Sequence, residues 1–163
     1  MPGELEKGIW THDDFERMGW HDSSIYACGA IPEDFELMFD LDYIVEWVPP
    51  GADEKYYSFW VAPATLVFQN VADVQVTLES MQGEITLLGL QRGDPHPTPA
   101  GRLNDYRWTL DGNEGSITFR ATGFRQYFRA APVLTTAQRL SQSARGGLSF
   151  NRTELAPSQL RPS

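Results

Sequence analysis

Two histidine–aspartate pairs near the start of the chain are the groups best suited to chemistry. His12 and Asp13 precede His21 and Asp22 by nine residues, and Asp14 lies between the pairs. Imidazole and carboxylate groups that converge can bind a transition metal. The spacing matches no zinc motif, and the HExxH pattern is absent. We therefore favour a local hydrogen-bonded anchor for His21 and Asp22, and we keep His12, His21 and Asp22 as the metal candidates.

A row of carboxylates marks the most regular segment of the chain. Between residues 35 and 48 the odd positions are apolar or aromatic, and the acidic residues occupy even positions: Glu36, Asp40, Asp42 and Glu46. This alternation is typical of a half-buried strand, so these carboxylates are expected to share one face. Such a face suits a basic protein partner, and we predict these four residues as the partner-binding site. The competing interpretation is that arginines within residues 116–129 neutralise the row from an adjacent strand.

The acidic residues are concentrated in the first third of the chain. Residues 1–56 contain 14 of the 22 acidic residues and 3 of the 13 basic ones, a net charge of −11. Residues 57–163 contain 10 basic and 8 acidic residues, a net charge of +2. Because nucleic-acid binding needs clustered lysines and arginines, we predict no nucleic-acid partner.

Aromatic residues surround the loop with the sequence PPGADEK. Trp47 precedes this loop, and the residues that follow it include Tyr56, Tyr57, Phe59 and Trp60. Aromatic rings near carboxylates can stack on a sugar ring, although rings in a β domain more often pack in the core. A small-ligand or carbohydrate-binding domain is therefore a functional alternative.

Motifs for covalent catalysis or cofactor binding are missing from the sequence. There is no GxSxG nucleophile motif and no glycine-rich phosphate loop. The one cysteine, Cys28, lies in an apolar run, where thiols are usually inert. We predict no cofactor, and catalysis has no positive support.

The expected location is the cytoplasm. A single cysteine excludes an intrachain disulfide, which favours a reducing compartment. The first ten residues do not resemble a signal peptide, and no stretch of about 18 apolar residues occurs. We therefore predict a cytoplasmic protein without membrane contact.

The elements that must position these groups are mostly strands. About eight short runs separated by turn signals, from Ile25–Ile31 to Ser116–Thr122, predict a single antiparallel β-sandwich or strongly curved sheet. Two short helices are expected, one over Thr11–Met18 and one that begins near Thr135.

The domain is predicted to span residues 1–150. Residues 151–163 contain few apolar residues and two prolines, which predicts a flexible C-terminal tail. The residues predicted to share the core are Phe39, Leu41, Tyr43, Phe68, Val76, Trp108 and Phe119.

Three stretches carry a family resemblance: WHDSSIY near the start, FWVAPATLVFQNV in the middle, and ITFRATGFRQYFR followed by RGG near the end. They resemble small bacterial proteins of unknown function over most of the chain, and this resemblance implies no activity. In size, acidity and lack of catalytic motifs the chain is also similar to the small all-β immunity proteins that neutralise polymorphic toxins. That likeness implies no particular contact residue.

These observations rank three functions. The first is a non-enzymatic cytoplasmic binding protein whose acidic face engages a basic protein partner, with an immunity-type inhibitor as one form. The second is a small-ligand or carbohydrate-binding β domain. The third is a metal-dependent enzyme that uses His12, His21 and nearby carboxylates. The oligomeric state is left open.

Overall fold

The structure is a computed structural model that describes residues 2–163. Within that range the strands are β1 (Ile9–Thr11), β2 (Ser24–Ile31), β3 (Glu36–Val48), β4 (Ser58–Gln69), β5 (Ala72–Leu78), β6 (Leu87–Pro97), β7 (Asn104–Gly112), β8 (Gly115–Ala121), β9 (Gly123–Phe128) and β10 (Val133–Thr135). A single α-helical turn, α1, spans Gln142–Arg145, and 3-10 helices cover His12–Arg17, Pro32–Asp34 and Pro157–Gln159. No helix in this range combines the length and the apolar character needed to cross a membrane.

The strands form two antiparallel sheets that pack face to face. The first sheet has the order β1-β9-β4-β3-β2, and β10 pairs with β4 beyond the end of β9. The second sheet has the order β5-β8-β7-β6. The predicted antiparallel β-sandwich is therefore confirmed.

The chain crosses from one sheet to the other at two corners, each only one or two residues long. The chain leaves β4 for β5 at Asn70 and Val71, and it leaves β8 for β9 at Thr122. A hydrogen bond joins the two corners, since Asn70 Nδ2 donates to Thr122 Oγ1 at 2.9 Å. Short crossings therefore link the two sheets at this end of the domain.

Aromatic rings from both sheets fill the space between them. Phe39 and Phe68 of the first sheet contact Phe119 of the second, with ring centroids 6.3 and 4.6 Å apart. Phe68 also lies 5.3 Å from the ring of Trp108. All four side chains are fully buried. The predicted core residues that lie in this core are Phe39, Leu41, Tyr43, Phe68, Trp108 and Phe119.

Val76 is a wrong core prediction. It pairs with the buried Ile117 of β8, so it lies on the same face of the second sheet, yet 56% of it is exposed. The reason is its position in the sheet, because β5 is an outermost strand and all of its residues are exposed. Alternation in an edge strand indicates the face of a side chain but not its burial.

A β-bulge in β3 changes the face on which its last residues lie. The register shifts between Ile44 and Glu46, so one extra residue is inserted and the side-chain alternation changes phase. Glu46 then lies on the opposite face from Asp42, whereas Trp47 lies on the same face as Asp42. The expectation that all four carboxylates share one face is therefore wrong for Glu46.

The helical predictions are only partly right. His12–Arg17 is a 3-10 helix capped by the side chain of Thr11. The helix expected from Thr135 is wrong, because Val133–Thr135 forms β10 and pairs with β4 instead. Helical structure begins only at Gln142, after a cap by Ser141. Because residues 133–135 pair with β4, their backbone N–H and C=O groups are hydrogen-bonded in the sheet and are not available to a helix.

Residues 151–163 lie against the rest of the domain. Arg152 donates two hydrogen bonds to the carboxylate of Glu36, at 2.8 and 2.9 Å. Leu160 packs against the core, and its carbonyl accepts a hydrogen bond from Leu5 N at 2.9 Å. The segment predicted as a flexible tail thus has defined contacts near both of its ends.

Phe119→Ala is expected to lower the free energy of unfolding by about 3–5 kcal/mol, because it removes a buried ring and leaves a cavity. Val76→Ala is the matched control from the neighbouring strand, and its loss is expected to stay below about 1 kcal/mol because the side chain is already half exposed. Urea denaturation measures both values. Equal losses at the two positions would contradict this assignment of the core.

Candidate functional site

Asp40 and Asp42 of β3 are buried beneath the chain that follows β10. Both side chains are 0% exposed. We call the covering chain, residues 136–163, the C-terminal segment. The two carboxylates therefore lie inside the protein, although the sequence pattern places them on an open sheet face.

Asp40 binds two arginines and one backbone amide. Its Oδ1 accepts hydrogen bonds from Nη2 of Arg129 and of Arg145, both at 2.7 Å. Its Oδ2 accepts from Ser149 N at 2.9 Å. Burial alone would raise the pKa of Asp40, but the hydrogen bonds from Arg145, Ser149 and Arg129 hold this pKa below its ordinary value. Asp40 is therefore an ionised and fully paired group.

Asp42 fixes the chain that leads into α1. Its Oδ2 accepts hydrogen bonds from Leu140 N and from the Tyr26 hydroxyl, each at 2.8 Å. Its Oδ1 accepts from Arg145 Nε at 3.2 Å. The Arg145 guanidinium also lies 3.7 Å from the centre of the Tyr26 ring, a cation–π contact. Burial and the hydrogen bond to Asp42 both raise the pKa of Tyr26, so its hydroxyl stays a donor.

The two ends of the acidic row are also paired within the chain. Glu36 binds Arg152 of the C-terminal segment. Glu46, which the bulge moves to the other face, accepts a hydrogen bond from Gly3 N at 2.9 Å. The four residues predicted to bind a partner thus contact groups of the protein itself.

Arg145 and Arg152 are the residues that sequence reasoning missed. The competing interpretation places the neutralising arginines within residues 116–129, and this region supplies Arg129 to the row. The composition of the chain contains a signal for Arg145 and Arg152. Residues 136–163 include four arginines and a single acidic residue, Glu154. A basic end on a chain with an acidic start indicates that the two regions attract each other.

His12 and His21 lie in separate environments. His12 Nδ1 accepts a hydrogen bond from Phe124 N at 3.3 Å. The His12 ring also requires glycine at position 123, where a Cβ would lie 2.2 Å from Nδ1. His21 Nδ1 lies 2.9 Å from Asp22 Oδ2. Within residues 2–163 no three His, Cys, Asp or Glu side chains form a group that could hold a metal ion.

An aromatic groove opens at the end of the first sheet. It has a volume of about 450 Å³, and we define the aromatic groove by its lining residues Trp47, Tyr56, Tyr57, Phe59, Thr136, Ala137 and Gln138. Trp47, Tyr56 and Tyr57 are 41%, 80% and 48% exposed. The Trp47 ring is nearly perpendicular to the rings of Phe59 and Tyr57, at centroid distances of 5.0 and 6.3 Å. Four of the five aromatic residues singled out in the sequence therefore meet here, whereas Trp60 faces the other side of β4.

Three local features build the aromatic groove. The bulge in β3 turns Trp47 away from the sandwich interior, and Phe59, its partner on β4, lies buried beside it. The chain leaving β10 supplies Thr136–Gln138 as the opposite wall. Asp42 holds this wall in place, because it binds Leu140 N only two residues further on. The buried carboxylates thus shape the groove without lining it.

A hydrogen-bonded cluster stands at one side of the groove. Gln138 Nε2 donates to Asp22 Oδ2 at 2.9 Å, and the same oxygen lies 2.9 Å from His21 Nδ1. Because its amide nitrogen faces Asp22, Gln138 keeps Oε1 available as an acceptor. The His21 ring lies 6.1 Å from the ring of Trp47. His21 and Asp22 thus contact each other, and the hydrogen bond from Gln138 to Asp22 orients a residue of the groove. The anchoring role of the pair stays a prediction.

Comparison with protein-family models gives no match, and searches of curated proteins and of solved structures give none either. The family resemblance carried by the three sequence stretches stays a prediction.

Arg145→Ala is expected to lower the free energy of unfolding by about 3–5 kcal/mol, because Asp40 and Asp42 remain buried without their shared partner. Arg161→Ala is the matched control from the same segment. Its ion pair with Glu4 lies at the surface, so the expected loss is at most about 1 kcal/mol. Thermal and urea denaturation check both values, and a small loss for Arg145→Ala would be incompatible with the buried network.

Proposed function

We propose that this protein is a carbohydrate-binding β domain whose ligand lies in the aromatic groove. The observation that carries the proposal is the exposure of Trp47, Tyr56 and Tyr57 around one concave surface. Exposed rings add little to the core, and three of them on one surface are available to a ligand. The groove volume of about 450 Å³ also lies within the range of roughly 300–1,000 Å³ typical of small-molecule sites.

A sugar ring matches the groove in shape and polarity. A pyranose carries C–H groups on its faces and hydroxyl groups around its edge. The rings of Trp47 and Tyr57 can pack on the C–H faces, while Gln138 Oε1 and the Thr136 hydroxyl can bind the edge. Apolar walls with a few convergent polar groups are the usual composition of a small-molecule site.

The acidic face is a weaker candidate for ligand binding. A basic partner that docked on Asp40 and Asp42 would have to displace the C-terminal segment and break their pairing with Arg145. Separating buried ion pairs costs several kcal/mol. This cost favours the aromatic groove over a protein-docking role for the carboxylates, including the immunity-type role.

A metal-dependent enzyme is also less favoured than a binding domain. His12 contacts Phe124 and His21 contacts Asp22, so the two imidazoles share no neighbour in the described part of the chain. A carbohydrate-binding role, in contrast, needs neither a metal nor a nucleophile. We keep the cytoplasm as the proposed location, because the one cysteine of the chain, Cys28, is a free thiol.

Trp47→Ala is expected to weaken the binding of a neutral hexose disaccharide about tenfold, the loss that follows from removing one stacked ring worth about 1.4 kcal/mol. Isothermal titration calorimetry with a panel of disaccharides of different linkage measures the affinities. Phe35→Ala is the matched control, because this ring is 63% exposed but lines a different cavity, and it should leave the affinities unchanged. The proposal fails if the wild type binds no member of the panel or if both variants lose affinity equally.

A further inference from the structure

A second, polar cavity adjoins the aromatic groove. It has a volume of about 150 Å³, and its lining residues are Asp22, Ser24, Glu84, Thr86, Ala137, Gln138 and Arg139. Ala137 and Gln138 line both cavities. A ligand with one ring in the aromatic groove therefore has the polar cavity within reach of a second ring.

Asp22 is the carboxylate of this cavity that has no arginine or lysine partner. Glu84, the other acidic residue, pairs with Arg139 at 2.7 Å. Asp22 is contacted only at Oδ2, by His21 and Gln138, and its Oδ1 has no partner among residues 2–163. One carboxylate oxygen is therefore free to accept a hydrogen bond from a ligand.

The backbone holds Asp22 in a defined position. Its φ of +65° lies in the left-handed region, which Asp and Asn adopt more readily than most residues. Its N–H donates to Leu87 O at 2.8 Å, which ties it to the start of β6. Because Asn tolerates the same backbone conformation, Asp22→Asn removes the charge with little change in shape.

Building on the proposed function, we infer that the ligand is an oligosaccharide that carries a free amino group. One ring packs in the aromatic groove, and the protonated amine of the adjoining ring binds Asp22 Oδ1. A charge-assisted hydrogen bond of this kind is roughly twice as strong as a neutral one. The net charge of −9 also attracts a cationic ligand and disfavours a sugar that bears a carboxylate.

The test uses three β-1,4-linked disaccharides, built from glucosamine, from N-acetylglucosamine and from glucose. They differ only at C2, which carries an amine, an acetamide or a hydroxyl group. Calorimetry at neutral pH and low salt should show the glucosamine disaccharide binding about tenfold more tightly than the glucose disaccharide. This preference should shrink as salt is added, because salt screens the charge. Asp22→Asn should abolish the preference, so that the glucosamine and glucose disaccharides bind equally. Asp13→Asn, the same charge change at an exposed site, should keep the preference.

Each negative result has a separate meaning. Equal binding of the charged and neutral disaccharides by the wild type, or a preference that salt does not reduce, would overturn the amine assignment and leave carbohydrate binding intact. Absence of binding by all disaccharides would overturn the proposed function itself. If Asp22→Asn does not fold, the order of affinities and the salt dependence of the wild type give the answer.

Discussion

The pairing of Asp40 and Asp42 with Arg145 is the interaction on which the rest of the structure depends. An unpaired buried charge costs several kcal/mol, so β3 can carry two carboxylates inside the protein only if a cation reaches them. That cation comes from more than a hundred residues along the chain, at separations of 105 and 103 residues. The C-terminal segment is therefore an integral layer of the domain. Apolar residues of similar volume would stabilise this contact as well, but the charges specify which part of the segment lies on which part of the strand.

This pairing also determines the shape of the proposed ligand site. Asp42 holds Leu140 N, and the chain between β10 and Leu140 must then cross the first sheet opposite Trp47. The same crossing brings Gln138 to Asp22, which connects the aromatic groove to the polar cavity. The residues proposed to bind the sugar are thus different from the buried carboxylates that hold the wall of the groove. Substitutions of these carboxylates act on stability first and on affinity only through the wall of the groove.

The alternation of apolar and polar residues predicts the fold correctly where one face of a strand packs against the core along its whole length. From Leu37 to Tyr43 the odd residues face the core, as the pattern requires. The pattern misleads at Glu46 and Trp47, because a bulge has no reliable signature in a single sequence and reverses every side chain beyond it. The core prediction for Val76 is wrong for a different reason. Burial in an edge strand depends on how far the opposing sheet extends over it. Arg145 was beyond local reasoning, because its partner is distant in sequence and only the regional charge balance indicates that the two meet.

Amide hydrogen exchange at Leu140 and Ser149 tests the central claim most directly. Their N–H groups donate to the buried carboxylates of Asp42 and Asp40 at 2.8 and 2.9 Å. If the C-terminal segment is an integral layer, both amides should exchange only through global unfolding, at the rates of the core amides of β3. Exchange at the rate of an unstructured peptide, while the strands remain protected, would contradict this claim. It would mean that the segment leaves the acidic face of β3 open to other partners.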